Sequence, residues 1–306
     1  MHSALLYTIE FIIGFIFLIK GSDIFINGAA DIAKKKGVSE HTIGLTLVAL
    51  ATSIPELAVS AIASWDNEGN IAFGNVVGSN ITNICLVLGT AAIIMSLKTT
   101  KETIKDAVIM TIVALLLFFL IIFDKKISLF DAIIFLFAYS LFVCYLIKKQ
   151  KIDKDIDLNI DGGYLKEITF VIFGSIGVVL GAHLLVKSGV GIAELLGISS
   201  LIIGLTIVSI GTSLPELAST VAAALKKKHG IAIGNVIGSN IINILLVLGV
   251  AGAINPISAD EKVNITMLFL LCVSFITIFF CRTKLGKTQG IIFLLLYASF
   301  LTLLFI

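Results

Sequence analysis

The sequence predicts an all-α membrane protein, with ten transmembrane helices arranged as two five-helix repeats of inverted topology. Composition, a duplication and the placement of basic residues lead to that reading. Of 306 residues, 58% are hydrophobic and only 14% charged, and the mean hydropathy is +1.10, far too apolar for a soluble domain of this length. The segment GLTLVALATSIPEL at 44–57 returns as GLTIVSIGTSLPEL at 204–217, and GNVVGSNITNICLVLG at 74–89 returns as GNVIGSNIINILLVLG at 234–249, both at an offset of 160 residues. The register holds without a gap from Gly14 and Gly174 to Ser96 and Pro256. A match of that length is a duplication.

Apolar runs of about 20 residues separated by charged or Gly/Pro/Asn breaks place the spans at 4–33, 40–63, 70–96, 104–123, 128–147, 164–193, 198–225, 231–254, 263–281 and 288–305. The first repeat covers 1–147, a polar cytoplasmic linker 148–163 and the second repeat 164–306. Five spans per half is an odd number, so the second half must enter the membrane from the opposite side, as in many secondary transporters. Basic residues accumulate in cytoplasmic loops. With both termini outside, sixteen Lys and Arg fall in inner loops and three in outer ones, which fixes the orientation of a multi-pass protein of the cell membrane. The net charge of +2 then reflects topology, not a surface for nucleic acid. The opening MHSALLYTIE lacks the basic start of a signal peptide, so the first span is expected to be retained.

Each repeat places polar groups inside apolar spans, where they are costly and mark function. Pro55 and Pro215 lack an N–H and clash with the carbonyl four residues back, which should break the second and seventh spans and loosen carbonyls around Ala51, Thr52, Gly211 and Thr212. Thr46, Ala49, Ser53 and Glu56 share one helical face, as do Thr206, Ser209, Ser213 and Glu216. In the third and eighth spans Asn75, Ser79 and Asn83, and equally Asn235, Ser239 and Asn243, recur every four residues as a polar stripe. Gly74 with Gly78, and Gly234 with Gly238, provide small-residue pairs for close helix approach. Asn83 and Asn243 are the expected ligands among the asparagines; interhelical hydrogen bonding suits Asn80 and Asn240 better.

Only oxygens are offered, and an all-oxygen set suits hard cations such as calcium. Glu56 and Glu216 together match the charge of one divalent ion. At ~5 Å and an effective dielectric of ~20 they would repel by roughly 3 kcal/mol, so an empty site should hold a proton or monovalent ions, and exchange follows more naturally than uniport. Neither motif offers a His at a spacing useful to a hydrolase, and the reading is a transporter, not an enzyme. No cofactor and no obligatory protein partner are implied; the partners are the transported Ca2+ and Na+, possibly H+, and the lipid bilayer. Elsewhere, DLNIDGGYLKEI at 157–168 approaches a calcium-binding loop but places its acid one residue early, and reads as a solvated hinge. Cys85, Cys144, Cys272 and Cys281 read as packing residues. Asp23 and Asn27 match His183 and Lys187, positions read as helix contacts or snorkelling side chains.

ATSIPE and GTSLPE, together with GNVVGSNITN and GNVIGSNIIN, resemble the alpha repeats of the calcium/cation antiporter superfamily, particularly prokaryotic sodium/calcium exchangers. The resemblance implies ten helices around a central diamond of sites. In it Glu56 and Glu216 bind calcium and share sodium, Thr52 and Thr212 contribute main-chain oxygens, and Ser53, Ser79, Ser213 and Ser239 help hold sodium. Ala49, Ser209, Asn83 and Asn243 complete the expected cage. The first and sixth helices would slide across the core to alternate access. The TS-x-P sequence before each Glu favours sodium over a calcium/proton exchanger, which is the alternative. Asn243, where potassium-dependent relatives carry aspartate, argues against a potassium requirement.

Overall fold

The computed structural model describes residues 2–35, 49–123, 125–149, 165–259 and 262–304. Thr46, the start of the second span and the polar linker with its near-calcium loop lie outside the described residues, as does the side chain of Asn27. The first half contains α1 (His2–Lys35), α2 (Ala49–Thr52), α3 (Ile54–Trp65), α4 (Gly69–Ile94), α5 (Lys101–Ile121) and α6 (Leu129–Lys149). The second contains α7 (Leu165–Leu196), α8 (Ser200–Thr212), α9 (Leu214–Leu225), α10 (His229–Ile254), α11 (Val263–Cys281) and α12 (Lys287–Leu303). The described helices fall on the predicted spans, the second of which, 40–63, is described only from Ala49 onward. By length and apolarity alone, six described helices suffice to cross a bilayer, or seven when α8 and α9 count as one bent span.

Helices α4 and α10 are mostly buried, whereas α6 is exposed along most of its length. The all-apolar outer faces, with Phe119, Phe130, Phe137 and Leu295 all exposed, are what a lipid-facing surface requires. Cys144 and Cys272 belong to these exposed faces, so packing in the protein interior holds only for Cys85 and Cys281; all four thiols are free. The halves are stapled together by short backbone ladders that the hydropathy pattern does not announce. Strand β1 (Lys126–Ile127) pairs antiparallel with β2 (Ile257–Ser258), and Leu97 bridges Leu285. Leu97 and Ile257 are equivalent at the 160-residue offset, so each repeat contributes the same position to a staple with the other.

Helices α1 and α7 pack along one another through glycine. A Cβ on Gly21 would lie 2.6 Å from the backbone N of Val178, and one on Gly14 2.9 Å from Leu184 Cβ. Lys187 Nζ donates to Glu10 Oε1 at 2.9 Å across the same interface. His183, by contrast, faces away from α1 toward Asp66, at 3.8 Å. Of the two polar matches seen in sequence, Lys187 joins α7 to α1 and His183 joins α7 to the turn after α3.

A Cβ on Gly78 would come within 2.8 Å of both Leu205 Cα and its carbonyl oxygen. Gly78→Ala must therefore push α4 off the backbone of α8, an overpacking cost of about 1–3 kcal/mol. Thermal melting of the purified protein should show a clear drop for Gly78→Ala.

Candidate ion-binding site

The helix breaks are local consequences of proline. The chain leaves helical geometry at Ser53 (φ −86°, ψ 3°) and Ser213 (φ −83°, ψ 4°), and each helix restarts with proline in its first turn, where no N–H is needed. Helices α8 and α9 consequently meet at 42°. Glu56 and Glu216 fall in the first turns of α3 and α9, so each carboxylate stands at the positive end of a helix. Below the breaks the loosening is partial. Ser53 N–H and Thr52 Oγ1 both donate to Ala49 O, at 3.2 and 3.3 Å, and Ser213 N–H and Thr212 Oγ1 both donate to Ser209 O, at 3.1 and 3.3 Å.

The two copies converge by crossing. Thr52 of the first break meets Ser239 of α10 at 3.4 Å, and Thr212 of the second meets Ser79 of α4 at 3.3 Å, hydroxyl to hydroxyl. Thr212 and Ser79 lie within electrostatic reach of Glu56, and Thr52, Ser239 and Ser53 within reach of Glu216; the two carboxylates also act on one another. All twelve predicted site residues, Ala49, Thr52, Ser53, Glu56, Ser79, Asn83, Ser209, Thr212, Ser213, Glu216, Ser239 and Asn243, are buried. Glycine makes the approach possible: Gly74 and Gly78 let α4 run against α8, which carries Ser209 and Thr212.

Asn75 and Asn235 turn out to brace the breaks. Asn75 Nδ2 donates to Ser60 Oγ at 2.9 Å and to the carbonyl of Glu56 at 3.2 Å, while its Oδ1 accepts from Thr212 at 3.0 Å. It pins the start of α3 to α4 and reaches into the other repeat. Asn235 donates to Ser219 at 2.9 Å and Thr220 at 3.0 Å. Ser60 and Thr220 were not singled out in the sequence, although each lies four residues after its Glu and so on the same face. A second missed feature is a π-helical turn beginning at each predicted asparagine ligand, Asn83–Leu88 and Asn243–Leu248, with another at Gly204–Val208. Such widened turns recur at functional sites because they release backbone groups and re-aim side chains.

What remains after these bonds is a set of buried polar atoms without partners. Both carboxylate oxygens of Glu56 and of Glu216, the hydroxyls of Ser53 and Ser213, both amide atoms of Asn83 and Oδ1 of Asn243 make no hydrogen bond. Buried polar groups are normally satisfied, and an unpaired buried carboxylate is costlier still. The residues carrying these orphans occupy equivalent positions in the two repeats. Among the described residues no group of three or more His, Cys, Asp or Glu side chains forms, so a cation here relies on two carboxylates plus neutral oxygens. That donor set suits hard cations.

Comparison with known proteins agrees with this chemistry. The family model described as sodium/calcium exchanger protein matches residues 6–148 and 166–306, leaving the polar linker between its two parts. The chain is 37% identical to the sodium/calcium exchanger MaX1 of Methanosarcina acetivorans, covering 97% of this chain and 99% of that protein. It is 34% identical to the putative antiporter CaxA of Alkalimonas amylolytica, over 98% and 99% of the two chains. The solved structure of the sodium-calcium exchanger NCX_Mj, soaked with Na+ and Sr2+, superposes with a TM-score of 0.68 at 35% identity and covers 97% of each chain. With both halves matched by the family model and nearly the whole length shared with these relatives, the chain belongs to the sodium/calcium exchanger family of membrane antiporters.

Proposed function

We propose that the chain is a secondary active antiporter that exchanges Ca2+ for Na+ by alternating access, with the ions held near the bilayer midplane between the two inverted repeats. Ten spans with both termini outside the cell membrane fit this reading, with α2–α3 and α8–α9 each forming one broken span. The observation that carries it is the pair of buried, unpartnered carboxylates of Glu56 and Glu216, framed by hydroxyls from both repeats. A divalent ion neutralises the pair, and sodium ions would share the same carboxylates with Ser53, Ser79, Ser213 and Ser239. Asn83 and Asn243 supply neutral amide oxygens. Thr52 and Thr212 would contribute main-chain oxygens; Ala49 and Ser209 would enter through carbonyls that each now accept two hydrogen bonds.

The test is calcium uptake into proteoliposomes loaded with sodium, compared with vesicles carrying only a proton gradient. Uptake driven by sodium and not by protons supports the proposal. Uptake driven by protons alone makes the protein a calcium/proton exchanger, and flux that follows a calcium gradient without countertransport makes it a channel. Potassium provides a second prediction. With the neutral Asn243, the two glutamates are the only acids of the proposed cage, so exchange should run at full rate when choline replaces potassium on both sides. Asn243→Asp adds a third acid, and Coulomb attraction for a further monovalent ion should make exchange respond to potassium. A strict potassium requirement in the unmodified protein would show that the role given to Asn243 is wrong.

A further inference from the structure

The amides of Asn80 and Asn240, equivalent positions on α4 and α10, clasp the two repeats together. Asn80 Nδ2 donates to the carbonyl of Asn240 at 3.2 Å, and Asn240 Nδ2 donates to the carbonyl of Asn80 at 3.1 Å. Both residues are 1% exposed. The clasp fixes which way the Asn80 amide faces: with its nitrogen committed to a carbonyl, the oxygen must point the other way. That oxygen meets Asn243, whose Nδ2 donates to Asn80 Oδ1 at 3.2 Å. The order is forced by donor and acceptor chemistry, because Asn80 Oδ1 can only accept. Asn243 must therefore turn its nitrogen toward Asn80 and its oxygen away, and that oxygen is one of the buried atoms without a partner.

The first repeat has no counterpart to this relay. Asn240 Oδ1 accepts nothing and neither amide atom of Asn83 has a partner. Asn240 Nδ2 also lies 3.6 Å from Met110 Sδ, so its amide is shared between α4 and α5. We infer that Asn80 is a positioning residue for ion binding: it holds the carbonyl oxygen of Asn243, and not its nitrogen, toward the cation. The inference rests on the reading of Asn243 as a ligand. Its consequence is an asymmetric cage, with one amide oxygen pre-aimed by the opposite repeat and the other, on Asn83, free to turn. Pre-aiming removes the ordering that an ion would otherwise have to impose, so it contributes to affinity.

The experiment is a comparison of half-saturating calcium in sodium-driven uptake of radiolabelled calcium into proteoliposomes, for Asn80→Ala, Asn240→Ala, Asn243→Ala and the Asn80→Ala/Asn243→Ala pair. Asn240→Ala removes one clasp bond and leaves the relay; Asn80→Ala removes one clasp bond and the relay together. We expect Asn80→Ala to raise half-saturating calcium about five- to tenfold, the worth of one well-placed buried hydrogen bond, and Asn240→Ala less than about twofold. In the Asn243→Ala background, Asn80→Ala should add less than about twofold, because a residue that acts through another couples to it. Equal losses for Asn80→Ala and Asn240→Ala, or an Asn80→Ala loss that persists in full without Asn243, would reduce Asn80 to a structural clasp and overturn the inference. Asn243→Ala with unchanged half-saturation would overturn the ligand reading itself, and the relay with it. Should Asn80→Ala fail to give a monodisperse protein, Asn80→Ser is read against the same two criteria.

Discussion

Glu56→Gln or Glu216→Gln should abolish calcium transport and leave the protein folded. Glutamine keeps the size of the side chain but removes one of two charges that together match a divalent ion. Breaking a buried charge pairing costs about 3–5 kcal/mol, roughly two to three and a half orders of magnitude in affinity, so calcium should fail to bind at accessible concentrations. Folding should not suffer, because both carboxylates are fully buried without hydrogen bonds, and an amide is less costly to bury than a charge. The melting temperature should stay level or rise while transport is lost, the opposite coupling expected when strained function is traded for stability. Near-normal calcium flux in either folded variant would remove Glu56 and Glu216 from the centre of the mechanism.

That the loss should fall on both copies alike was legible from sequence, because a duplication repeats every local constraint. Proline two residues after Ser53 and Ser213 dictates where each helix breaks, and a four-residue period dictates which side chains of α4 and α10 share a stripe. What local pattern does not contain is how the two copies meet. Asn80 and Asn240 read as equals, yet among the described residues only Asn80 engages a predicted ligand in the other repeat. Asn75 and Asn235 fell on the same stripe, and the structure commits their amide nitrogens to Ser60 and Thr220.

These differences arise because the surroundings are not duplicated, even though the motifs are. Met110 lies beside Asn240, and Asp66, Asn67 and Glu68 occupy the turn that Lys226, Lys227 and Lys228 occupy in the second repeat. Asn67 and Lys227 both adopt positive φ, at 64° and 57°, so the backbone of the turn is retained while its charge is reversed. A basic turn suits the cytoplasmic side that the sequence assigns to Lys226, Lys227 and Lys228. The π-helical turns were illegible for a different reason. Their hydrogen-bond slip depends on packing around Asn83 and Asn243, and nothing in the residue types NICLVL or NILLVL departs from ordinary helix.

Acidification should weaken calcium transport, and the sign follows from what the empty site must do. Two carboxylates share one buried centre, so in the absence of metal ions they are neutralised by protons, which calcium must displace to bind. By linkage, each displaced proton lowers apparent calcium affinity up to about tenfold per unit fall in pH. Half-saturating calcium should thus climb as pH is lowered from neutral toward the ordinary range of glutamate, about 4.3. A rival titrating group must be separated from this effect. Glu68 lies in the turn between α3 and α4, and its carboxyl is pushed above the ordinary value, first by partial burial and then by Glu194 and Asp66. Its influence on an ion at the centre would be electrostatic and through solvent, and salt screens such fields beyond about 8–10 Å. The proton sensitivity of the central site should therefore persist at high ionic strength and in Glu68→Gln. A flat profile across the window would remove proton competition from the site, and a slope that vanishes in Glu68→Gln would place the titrating group on the surface turn.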